Sequence, residues 1–185
     1  DFAFAHTEYS FASVKVAFEV FRFENGRAVE HWDNIQALAG PNPSGREMTD
    51  GPADTTDADR TEVNRDFIRS FCQEVLIQRR FDKLDAFVAT DLFIQHDPEI
   101  GDGLPALRTA LKAEKETGPV LRYDRVHRLL AEGNFVLCIC EGAKRGVHSG
   151  LYDLYRIERG RIVEHWNTIE AIPPRELRKN DNGKF

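Results

Sequence analysis

The chain has 185 residues, of which 41% are hydrophobic and 30% charged, with a formal net charge of −6. A chain of this length builds one domain, or one and a fraction, around a core. Acidic and basic residues are interspersed, so no basic face for nucleic-acid phosphates is expected and nucleic acid is excluded as a partner. No apolar run approaches the roughly 20 residues that span a bilayer, so no membrane partner is expected.

The three cysteines, Cys72, Cys138 and Cys140, show no paired metal spacing, and an odd number does not make a disulfide framework. We therefore predict no metal site and expect a reducing, cytoplasmic location. Cys138 and Cys140 fall in a predicted central strand, where free cysteines act as small buried apolar residues rather than reactive thiols.

Three strands are predicted at the start of the chain, over residues 1–9, 14–23 and 27–36. In the second of them, apolar side chains occupy every second position from Val14 to Val20, which is the period of a strand. Asn25-Gly26 then predicts a hairpin turn, because these two residues accept the positive φ that such turns require.

Residues 37–58 are predicted to be a linker, because glycine and proline recur through them. The unit that follows begins with a helix of about five turns, since apolar residues from Val63 to Leu76 recur at helical spacing. Asp59 with Glu62 resembles a capping box at the start of this helix.

A short second helix, capped by Asp82, is predicted to precede a short strand at residues 92–96. A third helix is predicted over residues 104–116, where Gly118-Pro119 would end it. Helices followed by an antiparallel meander are typical of the α+β class. The four strands of this meander are predicted at residues 120–131, 134–142, 147–157 and 161–171.

The two ends of the chain contain a repeat. Residues 18–36, FEVFRFENGRAVEHWDNIQ, return 134 positions further on as residues 152–170, YDLYRIERGRIVEHWNTIE. Residues 1–8 likewise match residues 134–141. Two copies are too few for a solenoid and indicate a duplicated domain instead.

The copies differ in what precedes them. The second follows an ordered stretch from about Asp59, and the first has no equivalent. We therefore expect residues 1–36 to be the last three strands of a truncated copy. Residues 59–172 are expected to form a complete domain, followed by a C-terminal tail at residues 173–185.

Four motifs of the complete unit together resemble the SnoaL-like polyketide-cyclase branch of the nuclear-transport-factor-2-like superfamily. They are FIQHDP at 93–98, DGLPAL at 102–107, HRLLAEGNFV at 127–136 and YDLYRIERGRIVEHW at 152–166. The resemblance covers about residues 60–172 as a whole domain and 1–36 as strands. It implies an α+β cone, in which a curved antiparallel sheet wraps the long helix and leaves a pocket at its open end.

The resemblance also implies a chemistry. Enzymes of the branch close polyketide rings by intramolecular aldol condensation, using acid–base groups and no metal or organic cofactor. Such a reaction requires a base beside a carbonyl and a donor for the enolate oxygen. The superfamily also contains proteins that bind ligands without catalysis.

Carried over by motif, the resemblance implies that His96 and Asp97 are the acid–base candidates, assisted by His165 and Asn167. Asn167 replaces the Asp that follows Glu-His-Trp in the family pattern, and an amide is no base near neutral pH. The remaining implied positions form two sets. The pocket set is Phe93, Tyr123, Ile139 and Trp166. In this set, Ile139 stands where the family pattern has a His in the sheet. The counterparts in the first copy are His6, His31, Trp32 and Asp33.

Alternation along the last strand limits this site. His165 and Asn167 point to one face, and Glu164 and Trp166 to the other, unless a bulge intervenes. Trp166 is then more simply sheet packing than a ligand platform, and Glu164 a partner for an Arg on the neighbouring strand. His96 has an equally simple alternative as a hydrogen-bond partner of a loop backbone.

Two functions stay open. One is a cofactor-free lyase or isomerase of cyclase type, acting on a small carbonyl or polyketide-like compound. The other is a protein that binds a small ligand, or serves as a scaffold, and has lost the chemistry. If a pocket walled by His96, Tyr123, Trp166 and Asn167 has room for a ring-sized ligand, both functions remain open; if side chains fill it, the enzyme hypothesis fails.

The opening strands carry too much apolar surface to stand alone in water. We expect one face of residues 1–36 to pack against the sheet of residues 120–171. We expect the other face to meet a second chain, which would give a homodimer through sheet faces.

Overall fold

The computed structural model describes residues 1–10, 12–115, 118–178 and 183–185. It opens with a three-stranded antiparallel sheet, hereafter the first sheet, which consists of β1 (Phe2–Ser10), β2 (Val14–Glu24) and β3 (Arg27–Ala37). The three predicted strands are confirmed. Asn25 and Gly26 have φ values of 50° and 73°, so the predicted hairpin turn is confirmed as well.

The predicted long helix consists of α1 (Thr61–Phe71) and a π-helical turn (Cys72–Ile77). Its predicted capping box is wrong, because Arg60 precedes α1 and no side chain caps it. Instead, the Thr61 hydroxyl accepts a hydrogen bond from the Gly133 amide at 2.9 Å, which ties the helix start to a hairpin of the sheet. None of the helices in the described part of the chain is long and apolar enough to cross a bilayer.

Two further helices and three short strands follow. The first is α2 (Leu84–Phe87), which Lys83 precedes, so the predicted cap by Asp82 is also wrong. The helix α3 ends earlier than predicted, because Ala113 is extended and the chain then enters a small hairpin. The other elements are β4 (Ile94–Gln95), α3 (Leu104–Lys112), β5 (Glu114–Lys115) and β6 (Gly118–Pro119). The predicted helix end at residue 116 lies outside the described residues.

Four long strands complete the fold: β7 (Leu121–Glu132), β8 (Phe135–Lys144), β9 (Val147–Glu158) and β10 (Arg161–Ala171). With β4 they form the second sheet, in the order β4-β10-β9-β8-β7. The predicted meander is confirmed, and β4 adds a parallel edge beside β10. Helices packed on one face of a curved antiparallel sheet give the expected α+β cone.

The core inside the cone joins the buried face of α1 to the inner face of the second sheet. Ile68, Phe71 and Val75 are at most 1% exposed, and they pack with residues of β8 and β9. This apolar stripe recurs at helical spacing in the sequence, which is why the long helix was predictable.

The outer face of the second sheet packs against the first sheet, as expected. Phe18 and Val20 from β2 are fully buried against Leu137, Tyr152 and Trp166. At the edge, the Ile35 amide donates to a Glu170 carboxylate oxygen at 2.9 Å, and the Ile169 amide donates to the Gln36 side chain at 2.7 Å. These bonds satisfy backbone donors of edge strands, which would otherwise invite further pairing.

The predicted linker contains no helix or strand between residues 38 and 57, but it is fastened to the domain. We call residues 38–57 the strap. Met48 is 1% exposed, and the Asn42 side-chain amide donates to the backbone oxygens of Gln95 at 2.6 Å and Ile100 at 2.8 Å. The strap therefore belongs to the packed structure.

The repeated segments share local geometry. Arg159 and Gly160 have φ values of 50° and 71°, close to those of Asn25 and Gly26. A register shift occurs between Ile162 and Glu164 in β10 and at the corresponding place in β3. An Arg–Glu ion pair spans this bulge in both, formed by Arg22 with Glu30 and by Arg156 with Glu164.

The packing of the two sheets predicts that they unfold together. Phe18→Ala should lower the free energy of unfolding by about 3–5 kcal/mol, the usual cost of removing a buried phenyl ring. The control Val63→Ala, on a position of α1 that is 55% exposed, should change it by less than about 0.5 kcal/mol.

Urea unfolding followed by far-UV circular dichroism and by tryptophan fluorescence measures both values. The two transitions should coincide in each variant. A Phe18→Ala protein with an unchanged midpoint would contradict a shared core.

Candidate functional site

A carboxylate and an imidazole meet inside the cone. Asp153 on β9 and His165 on β10 lie on adjacent strands, and His165 Nε2 is 2.9 Å from Asp153 Oδ1. The Tyr123 hydroxyl on β7 donates to the same oxygen at 3.1 Å. Asp153 is 1% exposed and His165 6%, so the pair is shielded from solvent.

Hydrogen bonds fix the orientation of the His165 ring and place a proton on its Nδ1. Gln95 Oε1 accepts the backbone amides of His96 and Asp97, both at 2.9 Å, which sets the orientation of this side chain. His165 Nδ1 lies 2.9 Å from the same oxygen and must therefore donate to it. The other ring nitrogen, Nε2, faces Asp153 Oδ1, so the imidazole bridges Gln95 and Asp153.

Several polar atoms beside this pair have no hydrogen-bond partner in the described part of the chain. They are Asp153 Oδ2, Asn167 Oδ1 and Gln95 Nε2, and all are buried. The other amide atom of Asn167, Nδ2, donates to Asp97 Oδ2 at 2.7 Å. Buried polar atoms without partners are rare in proteins and mark places where water or a ligand binds.

A cavity of about 20 Å³ borders this group. Such a volume holds about one water molecule. Tyr123, Tyr155, His165 and Asn167 provide its polar wall, and the rest is apolar, with Phe71, Phe93, Ile100, Leu107 and Leu111 among its residues. The cone as it stands therefore has no room for a ring-sized ligand, which counts against the enzyme hypothesis.

The two tyrosines of this wall are proton donors. Burial, and then the charge of Asp153, raises the pKa of Tyr123 well above its usual value. Burial likewise raises the pKa of Tyr155, whose ring stacks on His165 with 4.8 Å between centroids. Both hydroxyls therefore keep their protons at neutral pH.

A buried group of thiols lies further inside the cone. Cys72 Sγ is 3.5 Å from Cys138 Sγ, and all three cysteines are buried. Hydrogen bonds from Cys138 and Cys140 lower the pKa of Cys72. The pKa of Cys138 is raised, mainly by burial, and that of Cys140 mainly by its hydrogen bond with Cys72. The predicted burial of Cys138 and Cys140 is confirmed.

His96 lies on the other face of the second sheet, outside the cone. Its ring stacks on Trp166 with 4.8 Å between centroids, and Nε2 is 2.9 Å from Glu164 Oε1. Its Nδ1 is 2.7 Å from the Glu47 carbonyl oxygen of the strap. The alternative in which His96 bonds a loop backbone matches this geometry.

The alternation predicted for β10 is confirmed. His165 and Asn167 face the cone, whereas Trp166 packs between the sheets and Glu164 bonds His96. The predicted pairing of Glu164 with an Arg is also confirmed, because Arg156 Nε donates to it at 2.7 Å.

The residues predicted for the pocket wall lie in two different places. Phe93, Tyr123 and Asn167 line the cavity in the cone. Asp97 lies behind Asn167 and accepts a hydrogen bond from its side-chain amide. Ile139, Trp166 and His96 do not line this cavity, because Ile139 and Trp166 belong to the core between the sheets and His96 stacks on Trp166.

Sequence reasoning missed Asp153 and Gln95. A signal for Asp153 was present, since it is the one charged residue in the apolar run from Leu151 to Tyr155. The repeat gives a second signal, because Glu19 and His31 occupy the corresponding positions of the first copy.

The first-copy counterparts divide between two faces in the same way. His31 Nε2 hydrogen-bonds a Glu19 carboxylate oxygen, and the Tyr9 hydroxyl donates to the same carboxylate at 2.6 Å. The His31 side chain is 45% exposed, against 7% for His165. Asp33 pairs with Lys184 at 3.7 Å, whereas Trp32 packs in the core between the sheets.

His6 lies on the inward face of the first sheet. Its ring stacks on Phe18 with 4.3 Å between centroids, and its Nε2 has no partner within the described residues. Burial, and then the charge of His96, lowers the pKa of His6 to about 4. The family's sheet His, which His6 matches, therefore falls between the two sheets and not in the cone.

The curved sheet, the helix along its concave face and the polar group at its centre define a nuclear-transport-factor-2-like cone. The family model of the SnoaL-like domain matches residues 68–165, more than half of the chain. The chain therefore belongs to the SnoaL-like domain family. No curated protein matches it.

Solved structures share this fold at low sequence identity. A Kribbella flavida protein proposed to be a ketosteroid isomerase is 16% identical, with a TM-score of 0.53, over 68% of this chain and 94% of its own. A SnoaL-like polyketide cyclase from Agrobacterium tumefaciens is 18% identical, with a TM-score of 0.47, over 58% and 91% of the two chains. An NTF2-like protein of unknown function from Cytophaga hutchinsonii is 19% identical, with a TM-score of 0.48, over 65% and 95%.

The low pKa of His6 predicts a loss of stability in acid. An unfolded His takes up its proton near pH 6.5, and folded His6 only near pH 4. Between these values the unfolded state binds more protons, so the free energy of unfolding should fall as the pH drops from about 6.5 to 4. His6→Phe should flatten this fall in urea titrations.

The matched control is Phe4→Leu, which alters the same packing region and removes no imidazole. It should keep the pH dependence of the wild type. An identical slope in His6→Phe and the wild type would contradict the assignment.

The buried Glu164 predicts a large cost for its removal. Glu164→Leu leaves Arg156 and His96 without their shared carboxylate, and should lower the free energy of unfolding by about 3–5 kcal/mol. The control is Glu158→Ala, because Glu158 pairs with the same Arg156 but its side chain is 54% exposed. Its effect should stay below about 0.5 kcal/mol by urea unfolding.

Proposed function

We propose that the cone is a cofactor-free acid–base site that acts on a small carbonyl compound. The observation that carries the proposal is the buried Asp153–His165 pair, whose second carboxylate oxygen, Asp153 Oδ2, has no hydrogen-bond partner among the described residues. Pairs of this kind, buried and coupled, are typical of proton-transfer sites. The family's link to aldol chemistry supports the same reaction class.

Each group of the site has a distinct role in this proposal. Asp153 Oδ2 removes the proton next to the substrate carbonyl. His165, hydrogen-bonded to Asp153 Oδ1, stabilises the negative charge of this carboxylate. The Tyr123 hydroxyl donates its single proton to Asp153 Oδ1 and so holds the base in place, while the second N–H of the Asn167 amide, on the cavity wall, stabilises the enolate oxygen. The sequence-based candidates therefore change: Asp153 takes the base role proposed for His96, while His165 and Asn167 remain.

The volume of the cone favours a second candidate, a non-catalytic ligand-binding or scaffold protein. A cavity of about 20 Å³ is too small for a ring-sized ligand, so any such substrate must displace apolar side chains. In this second function, Asp153, His165 and their hydrogen-bond partners only fix the register and orientation of the strands that carry them.

The repeat supports two further proposals about organisation. Residues 1–37 form the last three strands of a second copy, because their turn, bulge and Arg–Glu pair reproduce those of β9 and β10. The homodimer stays a prediction. The face it would use carries Glu19 and His31, with Phe21 stacked on His31 at 4.5 Å.

Proton exchange separates the two candidate functions. We expect the wild type to accelerate deuterium exchange next to the carbonyl of hydroxyacetone, cyclohexanone or 2,4-pentanedione, followed by NMR in heavy water. Asp153→Asn should lower the enzymatic rate by at least about 100-fold, the usual contribution of a general base. Tyr123→Phe, which keeps the ring packing, should lower it by about tenfold.

The matched control is Glu19→Gln, which removes the corresponding carboxylate of the first sheet and should leave exchange unchanged. Circular dichroism verifies the fold of each variant. Equal rates in the wild type and in a folded Asp153→Asn protein, or no acceleration with any of the three probes, would favour the non-catalytic function.

A further inference from the structure

A much larger cavity lies between the two sheets, away from the cone. Its volume is about 890 Å³, within the range of sites that hold drug-sized ligands. Strand β1 forms one wall, β7 and the start of β8 the other, and strap residues 49–55 border it. We call this space the intersheet cleft.

The floor of the intersheet cleft is aromatic and apolar. Phe4, Phe135, Leu154 and Trp166 line it, and the Phe135 and Trp166 rings tilt against each other with 6.1 Å between centroids. Rings at this spacing favour edge and stacked contacts with a flat aromatic ligand. Burial of such a ligand between the sheets would remove apolar surface of both from water.

Arg128, on the β7 wall of the intersheet cleft, is a cation without an ion-pair partner among the described residues. The guanidinium carbon of Arg128 is 4.4 Å from the Trp32 ring centroid and 5.6 Å from that of Phe2. Arg128 forms no ion pair with any carboxylate in the described part of the chain. By contrast, Arg65, which also lines the cleft, is paired with Glu62 at 2.7 Å.

The acidic residues of the cleft do not neutralise this cation. Asp50 and Glu132 line the cleft at exposed positions, and Asp50 Oδ2 accepts the Glu47 amide at 3.0 Å. A half-buried guanidinium flanked by aromatic rings presents its N–H fork to a carboxylate. His6 Nε2, buried and without a partner among the residues described, supplies one more polar contact from β1.

We propose that the intersheet cleft binds a small aromatic monocarboxylate. The ring of the ligand packs against Trp166, Phe4 and Phe135, and its carboxylate takes the two parallel N–H bonds of Arg128. Neither the cone nor its Asp153–His165 pair takes part, so this site is independent of the proposed acid–base function.

The test compares two probes of one shape, 2-naphthoate and naphthalene-2-carboxamide, which differ in charge. Isothermal titration calorimetry measures both dissociation constants. Quenching of tryptophan fluorescence reports the location, because the only two tryptophans are Trp32, beside Arg128, and Trp166, in the cleft. We expect 2-naphthoate to bind at least about tenfold more tightly, as for a charge-assisted hydrogen bond.

Arg128→Met should abolish this preference, and Arg128→Lys, which keeps the charge but not the fork, should retain part of it. The matched control is Arg122→Met on the same strand, whose side chain is 53% exposed and paired with Asp124. It should bind both probes as the wild type does. Asp153→Asn should also bind normally, which separates this site from the cone.

Three results would overturn the proposal. They are equal affinities for the two probes, a preference for 2-naphthoate that survives in folded Arg128→Met, and no heat or quenching with millimolar 2-naphthoate. Circular dichroism of each variant establishes that it is folded before binding is compared.

Discussion

Strand β10 belongs to two buried environments at once, and the alternation of its side chains keeps them apart. His165 and Asn167 turn into the cone, and Glu164 and Trp166 turn toward the first sheet. A shift of one residue would exchange the two sets and bury each in the wrong surroundings. The bulge before Glu164 and its bond with Arg156 fix the register on which both the polar site and the sheet packing depend.

The two histidine clusters are both buried but differ in their polar surroundings. His165 and His96 each place one ring nitrogen on a carboxylate and the other on a fixed oxygen. Their surroundings nevertheless differ, because His96 is covered by Trp166 and the strap, whereas His165 borders a cavity beside oxygens that have no partner among the described residues. Only the second arrangement leaves a site at which another molecule can be bound.

The sequence was sufficient for the strands, the long helix and the face of each β10 residue, because periods of two and 3.6 are local properties. It was insufficient for His96, which lies beyond the end of β4, where alternation no longer applies. Its position depends on the strap carbonyl of Glu47, 49 residues away in the chain. Asp153 was missed although the motif at 152–166 contains it, because the acid–base candidates were taken from the end of β4 and from β10, whereas this carboxylate lies on the neighbouring strand.

The covalent link between the two sheets has a thermodynamic consequence. In an assembly of separate chains, sheet-to-sheet packing weakens on dilution, because association depends on protein concentration. Here Phe18 and Trp166 meet within one polypeptide. The strap is anchored by a hydrogen bond that Trp166 Nε1 donates to the Asp50 carbonyl at 2.7 Å. It keeps the two sheets at a high effective concentration relative to each other. The paired sheets should therefore persist at nanomolar protein, where a reversible dimer of the same interface would separate.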